Sequence, residues 1–456
     1  MPSGFPEAFH TRDNKQLQKS NTFRNSGQSM NLVHQGLEGK EARDALEACT
    51  LVSHSFSAIS RKYLLSAVVI SESVPSQSGK RPRRSYSAKA LHRRLKALSA
   101  LIESKSDFKH LIRKIHVKLG TQAILFRGAS GLYLVLGALA SHAKNLETLW
   151  ISGNKMLPIP ISWPDSRRSI SQPLNNLLRS VKFRQLRIAN LSHLPTDLFM
   201  TCPSVQNLHL VSTGFWQAEN VSPQSIFRSA SVCTVVKELE LQLCTNHFSE
   251  NLSQLNIDLS GLQRLRAQIE GHRDVVGARD LIEKAQLSLK SLELMLLAPN
   301  PVVTHVQPLA NSIDISRLQK LVDLQLNIDI EIAGAMPSME DIFGLLTHTS
   351  CPSQLQSIEV NLNATVAVHG VYFCFWNCDP AWTDLDPAKL RKKHPLLQSV
   401  SVKFYLRVNF EPYDPEPLSE SILKWIRCQL INVILPGGPT FQSVLPAGLN
   451  VVVVIC

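Results

Sequence analysis

A six-residue phrase with apolar residues at its first, fourth and sixth places recurs ten times, and it constrains this chain's fold more than any other feature. It reads IRKIHV from Ile112, LETLWI from Leu146, FRQLRI from Phe183, VQNLHL from Val205 and VKELEL from Val236. It continues as LQRLRA from Leu262, LKSLEL from Leu289, LVDLQL from Leu321, LQSIEV from Leu355 and LQSVSV from Leu397. Starts lie 22 residues apart at the closest, Phe183 to Val205, and 42 at the widest, Leu355 to Leu397. The fourth and sixth places share a parity, so in a strand they point to one face and the place between them points to the other. A single short strand cannot bury an apolar face. Strands set side by side, each returning through a helix or loop, bury one continuous core.

The segments between phrases fit that return path. Asp197-Leu-Phe-Met, Leu281-Ile-Glu-Lys-Ala and Met339-Glu-Asp-Ile-Phe-Gly-Leu-Leu read as brief amphipathic helices. Two junctions are near copies, Thr201-Cys-Pro-Ser before VQNLHL and Ser350-Cys-Pro-Ser before LQSIEV. Proline stops the helix there, and a small buried cysteine fills the turn. Aromatic residues make up only 6% of a chain that is 44% hydrophobic, which suits stacked branched aliphatic layers.

The phrases resemble the leucine-rich-repeat consensus L-x-x-L-x-L-x-x-N/C over roughly residues 105 to 430. Its Asn or Cys place is met by Asn154, Cys244 and Asn363, and elsewhere by residues such as Glu270, Leu297 and Tyr405. The resemblance implies an α/β leucine-rich-repeat-like solenoid of irregular period across 89–430, with 431–456 as a C-terminal cap. In such repeats the strand-lined face binds the partner. The middle places would then project toward a target: His116, Trp150, Arg187, His209, Glu240, Arg266, Glu293, Gln325, Glu359 and Ser401. Trp150, Arg187, His209, Glu240, Arg266 and Glu293 are the target-binding candidates. Their mixed signs suit a protein target better than a nucleic acid.

A helical segment precedes the repeats. In 41–70, Ala45, Leu46, Cys49, Leu51 and Val52 form one apolar face, and Phe56, Ile59, Tyr63 and Leu64 continue it at helical spacing. The phrase Ala48-Cys49-Thr50-Leu51-Val52-Ser53-His54-Ser55-Phe56, then Arg61-Lys62-Tyr63-Leu64 and a short strand over Leu65 to Ile70, resembles the second half of an F-box. The similarity is to fungal F-box/leucine-rich-repeat proteins. No Leu-Pro pair occurs over 25–37, so the box over 30–70 is degenerate. The resemblance implies a short N-terminal F-box-like helical segment that grips a Skp-type adaptor of a cullin ubiquitin ligase, while the repeats hold an unknown target protein. Leu46, Cys49, Leu51, Val52, Phe56 and Tyr63 would make the adaptor contact. Packing of a small helical cap onto the first repeat explains the same residues equally well.

The net charge of +12 is concentrated between Lys80 and Lys118, including Lys80-Arg81-Pro82-Arg83-Arg84. A solvated basic linker over 71–88 accounts for it, with nuclear import or an anionic partner as the alternative. Residues 1–29 and 71–88 are expected to be disordered. Residues 1–25 lack an apolar core, so we expect no secretory leader, no membrane span and a cytoplasmic or nuclear setting. Gly128 to Ala143 is apolar but too short to span a bilayer, and reads as a buried helix. The 9 cysteines are irregularly spaced, which argues against a disulfide framework.

No motif of catalysis emerges. Gly128-Ala-Ser-Gly131 lacks the lysine of a phosphate loop, and Gly-x-Ser-x-Gly and His-Glu-x-x-His are missing. Cys374-Phe-Trp-Asn-Cys378, with His369 and Asp379 nearby, lacks a second cysteine pair for zinc and reads as an aromatic-rich insertion. The chain is expected to be non-enzymatic, with no catalytic residue, cofactor or metal.

Overall fold

A computed structural model describes residues 60, 62–72, 88–104, 106–120, 123–126, 131–155, 160–163, 170–216, 233–297, 313–331, 345–346, 354–368, 387–410 and 449–455. The first strand, β1 (Ala67–Ser71), is followed by helices α1 (Ala88–Ser104) and α2 (Ser106–Leu111). Strand β2 (Lys114–Lys118), helix α3 (Leu132–His142), strands β3 (Thr148–Ser152) and β4 (Ile161–Ser162) and helix α4 (Ser171–Ser180) come next. Then come β5 (Gln185–Pro195), β6 (Asn207–Trp216), β7 (Thr234–Val235), β8 (Glu238–Gln242) and helix α5 (Thr245–Asn251). After β9 (Ile257–Asp258) and β10 (Arg264–Ile269), helix α6 (His272–Ala285) leads to β11 (Ser291–Leu296), β12 (Asp323–Glu331) and β13 (Ser357–Val368). Helix α7 (Pro387–Lys393), β14 (Ser399–Phe410) and β15 (Leu449–Ile455) close the described chain.

The architecture is mixed α/β around one parallel sheet. Its strands run in the order β1-β2-β3-β5-β6-β8-β10-β11-β12-β13-β14-β15, with β4 beside β5. Each strand on this path pairs with the next one in chain order. Parallel neighbours cannot be joined by a tight turn, so each pair needs a connection back to the starting edge. Where the connection is described, helices and turns supply it. The expected returns appear as a 3-10 segment at Thr196–Thr201 and as α6, while most of the third, 339–346, lies outside the described residues.

All ten phrases fall on consecutive strands of this path, and every first, fourth and sixth residue is buried. Their fourth places run in one register, from Ile115 beside Leu149 through Leu186, Leu208, Leu239, Leu265, Leu292, Leu324 and Ile358 to Val400. A shift of one residue would carry these anchors to the wet face, which pins the alignment. Helix α6 places Val275, Ala278, Leu281, Ile282 and Ala285 into the same core at three- and four-residue spacing. Asp274, in its first turn, accepts from the backbone N–H groups of Asn246 and Glu270, both at 3.1 Å. That favours the helix start electrostatically and ties it to α5. The apolar stretch expected as a buried helix is α3, with Leu132, Val135, Leu136 and Leu139 in the core.

A backbone contact repeats with the phrases. The carbonyl of the second residue of each phrase accepts from the N–H groups of the second and third residues of the next. Arg113 thus receives Glu147 and Thr148 at 2.8 and 3.0 Å, and Glu147 receives Arg184 and Gln185 at 2.8 and 3.0 Å. The same pair of bonds recurs as far as Gln356, which receives Gln398 and Ser399. Ser66 stands at the head of the series and receives Arg113 and Lys114 at 2.8 and 2.9 Å.

The sheet begins at Ala67, within the segment read as F-box-like, and its last strand lies within 431–456. Glu72, inside the span expected to be disordered, is buried, and its Oε1 accepts from the Leu125 N–H at 2.7 Å. The rest of 73–87 lies outside the described residues. Among the described residues, no helix is long and apolar enough to cross a membrane.

Candidate polar face of the sheet

Alternation along each strand leaves the middle place of every phrase on the face opposite the core. In register these residues form one line, His116, Trp150, Arg187, His209, Glu240, Arg266, Glu293, Gln325, Glu359 and Ser401, each paired with the next. All six target-binding candidates lie on it side by side. Val69 of β1 and Asn450 of β15 extend the line at its two ends.

The first part of the line is an aromatic stack. The imidazole of His116 lies 3.6 Å from the Trp150 ring, nearly parallel at 6°, and the Arg187 guanidinium sits 4.4 Å from the Trp150 ring centroid. Strand spacing places His116 on one side of the indole and Arg187 on the other. His116 Nε2 also lies 2.9 Å from Ser152 Oγ. Burial, then the charges of Lys118 and Arg187, pull the His116 pKa down to about 3, so the ring is neutral at pH 7. The indole Nε1 of Trp150 and Nε of Arg187 are buried and have no hydrogen-bond partner among the described residues.

The next part is ionic. His209 Nδ1 is 2.6 Å from Glu240 Oε2, Arg266 Nε is 2.6 Å from Glu293 Oε2, and Arg266 also reaches Glu240 at 3.6 Å. The hydrogen bond from His209 leads the causes that hold the Glu240 carboxyl down at about 2, with the charges of His209, Arg266 and Arg187 adding to it against burial. Burial works against the Arg266 guanidinium, but the hydrogen bond and charge of Glu293, then those of Glu240, prevail and raise its pKa.

Beyond Glu293 the network passes to a neighbouring row, two residues further along each strand. Asn327 Nδ2 donates to Glu293 Oε1 at 2.6 Å, and Asn361 Nδ2 donates to Asn327 Oδ1 at 2.7 Å and to Glu359 Oε1 at 2.8 Å. Lys403 Nζ donates to Glu359 Oε2 at 2.6 Å. Asn327, Asn361 and Lys403 were not among the sequence candidates. They obey the same alternation, one strand period beyond the phrase, and continuing the period would have found them.

The consensus Asn/Cys places behave differently from one another. Cys244 is buried at the end of β8 and donates to the Leu210 carbonyl of the preceding phrase at 3.4 Å. Asn363 is still within its strand, donating to Asp329 Oδ1 at 2.8 Å. Cys202, at the Thr-Cys-Pro-Ser junction, is buried and donates to the Leu198 carbonyl at 3.5 Å. Burial pushes the Cys202 thiol up to about 12 and the Cys244 thiol up to about 11, which leaves both unreactive at neutral pH.

No family model matches this chain, and no curated protein does.

Among the adaptor-binding candidates, Leu46, Cys49, Leu51, Val52 and Phe56 lie outside the described residues. Tyr63 is half-buried in the short helical turn before β1, where its carbonyl accepts from Ser66 Oγ at 2.7 Å. The Cys374–Cys378 cluster also lies outside them. Among the described residues, no group of three or more His, Cys, Asp or Glu side chains is arranged to hold a metal ion. The polar face offers ion-pairing, amide and aromatic surface.

Proposed function

We propose that this chain is a leucine-rich-repeat-like solenoid that acts as a non-catalytic receptor. Its polar sheet face holds a protein target, and its degenerate F-box-like segment links that target to a Skp-type adaptor of a cullin ubiquitin ligase. The observation that carries the reading is the unbroken register of ten phrases, which sets Trp150, Arg187, His209, Glu240, Arg266 and Glu293 in a single line. The recurring pair of backbone hydrogen bonds from one phrase to the next supports a stacked repeat. An extended row of partly covered aromatic and charged side chains suits protein recognition, where Trp and Arg contribute most of the energy.

The adaptor role rests on the phrase from Ala48 to Phe56 and the basic-plus-aromatic pair after it. The missing Leu-Pro over 25–37 favours a second reading, an interaction scaffold without adaptor binding. One experiment separates them. Purified Skp-type adaptor is titrated with the full chain and with its Leu51→Asp and Phe56→Asp variants. Stoichiometric binding that both variants abolish supports the receptor. A folded full chain that does not bind leaves the scaffold.

A further inference from the structure

The polar face is charge-polarised along the sheet. On β2, β3 and β5 its outward positions carry Lys114, Lys118 and Arg187 and no carboxylate. Among the described residues none of these three cations has an acidic side chain within ion-pairing distance. From β8 to β13 the balance reverses. Glu238, Glu240, Glu293, Asp323, Asp329 and Glu359 face outward there. Among the described side chains, Arg264, Arg266 and, on β14, Lys403 stand against them.

Resting on the receptor reading above, we infer that this face takes an extended protein segment of bipolar charge, its acidic residues over β2 to β5 and its basic residues over β8 to β13. The cationic end has the parts such a segment needs. Lys114 and Lys118 are exposed on β2, and the half-buried Arg187 stands two strands further along the path. Carboxylates accept from these ammonium and guanidinium groups. A long polyanion fits the same end but runs into the carboxylates from Glu238 onward, where like charges repel. Arg187 lies five strand spacings from Asp323, about 24 Å at roughly 4.8 Å per spacing, and an extended peptide crosses that in about seven residues.

The test uses the full chain and three defined probes, followed by fluorescence anisotropy at low ionic strength. One peptide carries four Glu, seven neutral residues and four Lys in that order. The second has the same composition with Glu and Lys alternating, and the third probe is a single-stranded oligothymidine of similar length. The block peptide is expected to bind at least tenfold more tightly than the alternating one. Arg187→Glu combined with Lys118→Glu, with circular dichroism unchanged, should erase that preference. Block and alternating peptides binding within twofold of each other would overturn the inference, as would a preference that survives both charge reversals. Oligothymidine binding as tightly as the block peptide, and lost in the same variant, would overturn it in favour of a polyanion. Adaptor capture is read separately, so a chain that binds adaptor but shows no block preference loses this inference and keeps the receptor reading.

Discussion

The imidazole of His116 lies flat against the indole of Trp150, at 3.6 Å between centroids and 6° between planes. The guanidinium of Arg187 sits over the same indole. A protonated imidazole would add a third cation to a patch that already holds Lys118 and Arg187, which is why burial and those charges hold its pKa at about 3. In the unfolded chain the ring takes up a proton below about pH 6.5. Between pH 6.5 and 3 the unfolded state therefore binds more protons, and stability falls as pH falls. His116→Phe keeps a flat ring and cannot titrate. Urea midpoints at pH 7 and pH 5 should show the original chain losing roughly 1 kcal/mol more than the variant, allowing for partial solvent screening. Parallel losses in the two proteins would mean the stack does not keep the ring neutral.

Arg266 holds two carboxylates at once, Glu293 at 2.6 Å and Glu240 at 3.6 Å, and both are less exposed than the arginine itself. Arg266→Met leaves those carboxylates facing each other across the gap. We expect a loss of about 1–3 kcal/mol at pH 7, because the two covered carboxylates lose the cation they share, while His209 and Asn327 stay as partners. Because the residues act as one network, a double-mutant cycle with Glu293→Gln should give a coupling above about 0.5 kcal/mol. Strictly additive single effects would show that the contact contributes little.

What the sequence disclosed and what it hid divide along a physical line. An anchor such as Leu265 marks itself, because a strand with one dry face needs apolar residues at period two, and Arg266 beside it is then placed outward by the same rule. The bifurcated bonds at the Arg113 and Glu147 carbonyls are backbone chemistry and leave no residue signature. A short strand over Leu65 to Ile70 was legible, and β1 forms there, but its place in the repeat series hid for a different reason. Its phrase LSAVVI from Leu65 obeys the first-fourth-sixth rule, but the basic stretch after it separates it from the next copy. At β15 the fourth and sixth places are Leu449 and Val451, while Pro446 takes the first, so the pattern is broken where the last strand forms. The ion-pair chain from His209 to Glu293 depended on register, which only the folded sheet supplies.

Two glycines should respond in opposite directions to alanine. A Cβ at Gly153 would lie 2.2 Å from the Asn190 carbonyl oxygen, a backbone atom fixed beside the bond from the Gly153 N–H to the Ala189 carbonyl. Asn190, inside β5, already adopts a left-handed φ of 54°, which leaves that part of the strand little room to retreat. Gly153→Ala should cost about 2–4 kcal/mol in chemical denaturation. Gly137 lies exposed inside α3 with nothing within 4 Å of its Cβ position. Gly137→Ala should gain about 0.5–1 kcal/mol from helix propensity alone. A near-neutral Gly153→Ala would show that β5 shifts freely around Asn190.

Glu72 fastens the first strand to the turn that follows β2. Its Oε1 accepts from the Leu125 N–H at 2.7 Å across 53 residues of sequence, and its Oε2 lies 2.7 Å from where a Cβ at Gly120 would sit. Glu72→Ala takes this charged acceptor away from a buried N–H, a cost of about 1–3 kcal/mol. Glu72→Gln keeps a carbonyl oxygen in the same place and should recover most of it. Hydrogen exchange localises the effect. The Leu125 amide should exchange faster in Glu72→Ala than in the original chain, with Glu72→Gln close to the latter, while amides in β10 and β11 stay unchanged. Equal protection of Leu125 in all three proteins would mean that the turn holds its own amide, and that the bond to Glu72 is a consequence of packing and not its cause.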